Sequence, residues 1–313
     1  MTTDFLVTHS GGFHADELLS SVILTRLFPE ARIIRSRDKD WITPAPDRVV
    51  YDVGRAYDAG LRIFDHHQRE APLRDDGQPL SSFGLIWRHF GRDYLRALDV
   101  PEIDLEAIHQ RFDSGFVLPI DLMDNGVFSP AAIDPLLAEM TLPGLLESLK
   151  PAFDETDPDA ETSAFETALQ IARTIVEAVI AGRAAKFRAE KIVMDAIAAA
   201  GASRVLELPR GMPFQSAVKK AGADHLLFVI NPRDKDWTIT GIRKFDEGFE
   251  QRADLPAAWA GLTDADLEAA SGVKGARFCH NARFIAVAAT REAILQMAAL
   301  AVAEAERLAE TGP

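Results

Sequence analysis

Apolar residues in the first ninety positions come in short runs separated by amphipathic stretches. Phe5-Leu6-Val7, Ala31 to Ile34, Val49-Val50-Tyr51 and Leu61 to Phe64 read as buried strands. Between the first two, from about Ala15 to Leu27, Leu18, Leu19, Val22, Ile23 and Leu27 recur at helical spacing. After the fourth run, Ser82 is expected to cap a helix whose Phe83, Ile86, Trp87 and Phe90 share one face. Strands alternating with helices predict an α/β fold with a doubly wound, mostly parallel sheet.

The pattern then breaks. Lys150 to Glu161 is rich in Pro and Asp and reads as a domain boundary. Ser163 and Glu166 form a capping-box pattern. The helix they would start carries Leu169, Ala172, Ile175, Val176, Val179 and Ile180, continues through Ile192, Val193 and Ile197, and stops at Gly201. Gly182 is a place for a kink or a weak spot within it. Beyond it, Val205–Leu208, Leu226–Ile230, Trp237–Ile242, Phe278 and Phe284–Val287 are strand-like, and Thr290 opens a terminal helix. The expected organisation is a catalytic domain over 1–155, a linker and long connecting helix over 156–201, and a smaller C-terminal α/β domain over 202–313. The sequence contains no internal repeat.

Composition narrows the class. The chain has 313 residues, 47% hydrophobic and 26% charged, as in a globular protein. No apolar run reaches the length of a membrane span, and Met1-Thr2-Thr3-Asp4 lacks the basic start of a secretory signal, so no membrane partner and a cytoplasmic location are expected. A single cysteine, Cys279, excludes an internal disulfide and a cysteine-based zinc cluster. A net charge of −14 argues against broad binding to long nucleic acid, which relies on a basic surface. It leaves room for a small or single-stranded phosphate substrate held at a metal centre, where cations cancel local acidity.

The candidate chemistry sits at strand ends. His9 follows the first strand, and two glycines lead on to His14 and Asp16 at the start of the first helix. Asp52 follows the third strand, and Asp65-His66-His67 follow the fourth. Four of the eight histidines fall before residue 70. In an open parallel sheet, the carboxyl edge is where ligands bind, and neighbouring strands lie about 4.8 Å apart. Three consecutive metal-competent side chains at a buried strand end are costly unless something pairs with them. Mixed imidazole and carboxylate donors suit Mn²⁺, Zn²⁺, Fe²⁺ or Co²⁺, and so many donors suggest two ions with a bridging carboxylate such as Asp52. Asp121-Leu122-Met123-Asp124-Asn125-Gly126, read as a loop, is a further candidate. Taken singly, each of these residues has an ordinary structural reading: a hydrogen-bonded His, or a turn Asp.

The motifs THSGGFHADE, YDVG, FDHHQ, SSFGLIW and DNG, with GARFCHNARFIAVAATREAILQMA near the end, resemble the DHH phosphoesterase superfamily. Within it they are most similar to the melanocyte-proliferating-gene-1 family of metal-dependent hydrolases and exonucleases, over most of the chain. The resemblance implies a divalent-metal enzyme, with two Mn²⁺ ions or Mg²⁺, Co²⁺ or Zn²⁺ in their place. It implies His9 and His14 on one ion, Asp16 on the other, Asp52 between them, His66 as a further ligand and Asp124 completing the second site. It also implies that Asp65 orients the neighbouring histidines, that His67 contacts the substrate phosphate, and that His280 and Arg283 bind substrate from the C-terminal domain. The superfamily more often has Asp where His14 stands. Family members tend to carry a Gly pair where this chain has Ala286-Val287, which points to a different fit for substrate there.

The expectation is therefore a metal-dependent phosphoesterase with its site between two domains, acting as a 3′–5′ exonuclease on short RNA or oligonucleotides. A homodimer is compatible with this reading. A small-molecule phosphohydrolase acting on a dinucleotide, nucleotide or pyrophosphate is the first alternative, and a non-catalytic metal- or nucleotide-binding protein the second. Arg210, Arg233, Arg243 and Lys244 are read either as a phosphate patch or as surface charges, and Trp237 as core rather than a base-stacking platform.

Overall fold

The computed structural model describes residues 2–245 and 248–311. Its contacts divide the chain into two units, Met1–Ala184 and Ala185–Pro313.

In the first unit, β1 (Phe5–Thr8), β2 (Arg32–Arg35), β3 (Arg48–Tyr51), β4 (Tyr57–Asp58) and β5 (Ile63–Phe64) form one sheet in the order β2-β1-β3-β5-β4. The first four in that order run parallel, and β4 pairs antiparallel with β5 at the edge. Leu6, Val7, Val49 and Val50 are all fully buried, so both faces of the central strands are covered, as a parallel sheet requires. The two-residue β4 is too short to carry a periodic signal.

α1 (Ala15–Leu27) buries ten consecutive residues, Ala15 to Leu24, and is therefore covered on every side. Such a helix needs internal partners for its polar side chains. Ser21 Oγ donates to the Glu17 carbonyl at 2.7 Å and lies 2.7 Å from Tyr51 Oη on β3. The remaining helices of this unit are α2 (Lys39–Ile42), α3 (Ser82–Ala97), α4 (Glu102–Phe112), α5 (Leu118–Asp124), α6 (Pro135–Glu139) and α7 (Leu142–Glu147). A π-helical turn, Asp113–Val117, joins α4 to α5. α3 is capped by Ser81, whose hydroxyl accepts from Gly84 N, rather than by Ser82. Ser82 Oγ donates instead to the Phe64 carbonyl at 3.1 Å, so the neighbouring serine takes the cap. The Asp121–Gly126 segment is also not a loop, because α5 runs to Asp124 and Asp121 lies within it.

Gly54 lies just after β3 at φ 102°, and a Cβ there would stand 2.8 Å from Ile63 Cδ1 and 3.2 Å from the Ile42 carbonyl. Both the backbone conformation and the space require glycine. Gly54→Ala is expected to cost about 1–3 kcal/mol in a urea titration. An unchanged unfolding midpoint contradicts this account of the turn.

The long helix α8 (Ala160–Ala200) runs unbroken through Gly182 and stops before Gly201, which has φ 55°. It begins three residues before Ser163, whose N–H already donates to the Asp159 carbonyl, so Ser163 lies within the first turn instead of capping it.

In the second unit, β6 (Val205–Glu207), β7 (Phe228–Arg233), β8 (Asp236–Gly241), β9 (Ala276–Cys279) and β10 (Ile285–Ala288) take the order β6-β7-β8-β10-β9, with α9 (Gln215–Lys220), α10 (Asp264–Ser271) and α11 (Arg291–Thr311). β6 and β7 are parallel and the other pairs antiparallel. Alternation on β7 sends Phe228 and Ile230 into a core with Ile239, Ile294 and Met297, and Val229 into another with Val193 and Leu206. Trp237 packs against the first core. Ala286 is fully buried, paired in register with Ile239 and Cys279, so its methyl group fills core. No helix among the described residues is long and apolar enough to cross a membrane.

Candidate metal centre

Three adjacent parallel strands, β1, β3 and β5, deliver their next residues to one edge: His9 after Thr8, Asp52 after Tyr51, and Asp65-His66-His67 after Phe64. α1 starts at the same edge and brings Asp16 and Glu17. α5 brings Asp124. Asp52 is held in the left-handed region at φ 53°, a conformation Asp tolerates better than most residues, and its N–H donates to the Phe64 carbonyl at 3.1 Å. That turn directs its carboxylate inward. Oδ2 lies 3.3 Å from His9 Nε2, and Oδ1 lies 3.5 Å from both His66 Nε2 and His67 Nδ1. The Ser82 hydroxyl, whose one proton is shared with the Phe64 carbonyl, lies 3.2 Å from Oδ1, which is the use α3 makes of its second serine.

The histidines are oriented by their outer nitrogens. His66 Nδ1 lies 3.3 Å from Asn125 Oδ1, and Asn125 Nδ2 in turn donates to the Asp121 carbonyl at 2.8 Å. That arrangement assigns the proton to His66 Nδ1 and aims Nε2 at Asp124, Asp52 and Asp16, 3.3, 3.5 and 3.8 Å away. His9 Nδ1 lies 3.2 Å from the Ser10 carbonyl and likewise leaves Nε2 facing inward. Asp65 is completely buried and accepts from the N–H groups of Arg55, His66 and His67 and from His67 Nδ1, the last at 2.7 Å. It touches the ring of His67 and the backbone of His66.

The donor atoms form overlapping sets, within each of which all lie within 4.8 Å: Asp52, Asp65, His66 and His67; His9, His14 and Glu17; Asp16, His66 and Asp124; Asp16, Glu17 and Asp52. Three buried carboxylates so close repel one another unless a cation intervenes. The titration behaviour reports this. Burial and the charges of Asp52, Asp124 and Glu17 push Asp16 well above the usual carboxylate range. Burial, reinforced by Asp52, lifts Asp124 to about 6. Burial alone would lower His9, but Asp52 and Glu17 outweigh it and lift it to about 10. Asp52 moves down despite its burial, because His66 and His9 beside it favour its charged form. A protonated His9 thus stands in for missing positive charge. Of the buried side-chain atoms without a hydrogen-bond partner among the described residues, two belong to these expected ligands, Asp16 Oδ2 and His66 Nε2. Unpaired buried donors and acceptors of this kind are rare, and both point into one volume, so the residues fit a divalent ion.

All six expected ligands, His9, His14, Asp16, Asp52, His66 and Asp124, come together here, as do Asp65 and His67. His14 is exposed and approaches His9 with ring centroids 5.8 Å apart. Sequence reasoning missed Glu17, which is completely buried, 3.1 Å from His9 Nε2, and accepts the His14 N–H with both oxygens. The spacing of His14 and Glu17, three residues apart at a helix start, is the signal that would have found it. Asn125 and Ser82 were also missed, and neither residue type carries a specific signal. A cavity of about 470 Å³ opens beside the cluster, lined by His14, Asp16, Asp52, His66, His67 and Asp124 with the apolar Ile120, Met123 and Pro143.

In the second unit, His280 and Arg283 lie on the β9–β10 turn. Arg283 adopts φ 57°, pairs with Asp254 at 2.8 Å and donates to the Leu255 carbonyl, while His280 Nδ1 accepts from Ala282 N. Both side chains are engaged in holding that turn. Arg243 lies over the Phe249 ring and Lys244 pairs with Glu250, as ordinary surface charges do.

A solved structure of the exonuclease RecJ bound to manganese aligns over 97% of this chain and 90% of its own, at 16% identity and a TM-score of only 0.27. The human protein named MYG1 exonuclease is 30% identical over 95% of this chain and 85% of its own. The MYG1 protein C694.04c of Schizosaccharomyces pombe is 33% identical over 94% of this chain and 95% of its own. The family model MYG1_exonuc, described as an uncharacterised protein family (UPF0160), matches residues 5–302, and the chain belongs to that family.

Proposed function

We propose that this chain is a metal-dependent phosphodiesterase that removes nucleotides from the 3′ end of short RNA or oligonucleotides. The observation that carries the reading is the convergence of His9, Asp16, Asp52, His66 and Asp124 on a volume where Asp16 Oδ2 and His66 Nε2 lack partners. The mammalian relatives named as exonucleases support the same class.

His9, His14, Asp16, Asp52, His66 and Asp124 would hold two divalent ions of the kind that mixed imidazole and carboxylate donors suit, Mn²⁺ among them. Bound there, the ions would supply a water nucleophile at neutral pH and offset the charge that builds on phosphorus. The side chains do the rest. Asp65 holds the His67 ring through Nδ1 and raises its pKa, which favours the form of His67 that donates from Nε2 to a phosphate oxygen. The side chain of His67 is 56% exposed, as a group that meets incoming substrate must be. Ile120, Met123 and Pro143 offer an apolar wall to the terminal base.

The net charge of −14 favours a second reading, a phosphohydrolase for dinucleotides or other small phosphoesters. A 5′-labelled RNA oligonucleotide incubated with the protein and Mn²⁺ decides between them. The exonuclease gives a ladder of products shortened one nucleotide at a time. Intact RNA beside a cleaved dinucleotide overturns the exonuclease in favour of the small-molecule enzyme.

A further inference from the structure

A second cavity of about 360 Å³ adjoins the metal cluster, lined by His9, His14, Asp52, Asp65 and His67 and by Val53 and Gly54, with Arg37 and Arg55. It shares His14, Asp52 and His67 with the cavity described above, so these residues form a wall common to both. The two arginines are unlike their neighbours. Arg48 pairs with Asp47, Arg74 with Asp113 and Asp121, and Arg35 donates to the Gly11 carbonyl and stacks on Phe165. Arg37 spends only Nε, on the Ser10 carbonyl at 3.2 Å, and Arg55 donates only its backbone N–H, to Asp65. Neither guanidinium has a carboxylate partner among the described residues. Both side chains are exposed, on a chain whose carboxylates outnumber its cations.

Arg55 is also held at φ 57°, a conformation costly for a long side chain. The Asp65 carboxylate that receives its N–H is the one that orients His67. The turn that positions the phosphate-facing histidine therefore presents Arg55 at the same wall. Two guanidinium groups without carboxylate partners, at the wall that also carries His67, are suited to bind phosphate oxygens bidentately. The wall's carboxylates, Asp52 and Asp65, would repel an uncompensated anion, and the arginines offset that repulsion.

We infer that Arg37 and Arg55 form a second phosphate subsite, which takes the phosphodiester next to the one being hydrolysed and so selects a chain with at least two phosphates. This rests on the function proposed above and deepens it. The subsite distinguishes an oligonucleotide from a simple phosphomonoester or a dinucleotide with one phosphate.

The test compares a dinucleotide, with one phosphodiester, and a trinucleotide, with two. Binding of fluorescent versions of each is measured by anisotropy on the full chain, with Ca²⁺ supplied in place of Mn²⁺ to slow turnover. Turnover is then measured with Mn²⁺. The variants are Arg37→Ala and Arg55→Gly, the latter because glycine suits the φ there, with Arg37→Lys as the conservative control. Thermal melts confirm that each variant is folded. Each loss of a guanidinium is expected to weaken trinucleotide binding about tenfold and to leave dinucleotide binding within about twofold. For the trinucleotide KM rises while kcat holds, and Arg37→Lys recovers part of the loss. Equal effects on both ligands, or none on either, overturn the subsite. Unweakened wild-type binding without any hydrolysis overturns the proposed activity instead, and the Arg-dependent difference in binding then stands by itself.

Discussion

Asp52→Asn is expected to reduce hydrolysis by about 10³-fold or more while leaving the protein folded, the scale of losing a principal charge at a reacting centre. Asparagine keeps the volume, tolerates the left-handed backbone at φ 53°, and still accepts from Ser82 Oγ. What it removes is the negative charge that faces His9, His66 and His67 together. The same substitution is expected to abolish the rise in melting temperature that Mn²⁺ gives the wild type, a rise that corresponds to about 2.7 kcal/mol at a hundredfold excess over Kd. In the metal-free chain the proton on His9 is retained up to about pH 10, because Asp52 and Glu17 hold it against burial. An incoming cation must displace that proton. Apparent Mn²⁺ affinity of the wild type therefore increases as pH rises from 6 to 8. If Asp52→Asn retains both activity and the Mn²⁺-dependent melting shift, the metal centre does not include Asp52 and the mechanism fails.

The reach of sequence reasoning follows from the length scale of each signal. β1, β3 and the first helix carry runs or periodic apolar positions, so their existence and the placement of His9 and Asp52 at one sheet edge were legible. β4 has two residues and leaves no pattern. α5 was read as a loop because Asp124-Asn125-Gly126 is a turn signal, and the signal was right about the stop at Asn125 while the helix before it is only seven residues long. Ser82 was assigned a cap that Ser81 makes, since two adjacent serines cannot be told apart without knowing that Asp52, thirty residues away, claims one of them. Glu17 and Asn125 were missed for a related reason. Their roles are set by tertiary neighbours, His9 and His66, and not by local pattern. In the second unit, the pairing of Arg283 with Asp254, 29 residues upstream, was not legible, because no spacing rule links them.

The largest stability effect is expected from Arg74→Ala, because the helix that delivers Asp124 is fixed by a buried charge network. Arg74 pairs with Asp121 through Nη2 at 2.5 Å and with Asp113 through Nη1 at 2.6 Å, so it ties α5 to the π-helical turn before it. Asp121 is completely buried, and its other oxygen accepts from Ser81 N and Oγ at the start of α3, where the helix dipole also favours a negative charge. Gly84 makes the approach possible, since a Cβ there would stand 2.5 Å from both carboxylate oxygens. Burial raises the pKa of Asp121 and Arg74 opposes the rise, so removing the guanidinium leaves an uncompensated buried carboxylate. The expected cost is about 3–5 kcal/mol at pH 7 by urea unfolding. A raised carboxylate destabilises only while ionised, so the cost shrinks as pH falls and Asp121 takes up a proton. The double variant R74A/D121N is expected to recover part of the loss, because the neutral amide no longer needs a cation. Mn²⁺ affinity should fall in Arg74→Ala, since Asp124 lies one turn beyond Asp121 on the loosened helix. A cost under about 1 kcal/mol, or an equal cost of Arg74→Ala in the Asp121→Asn background, would show that the network does not hold α5 in place.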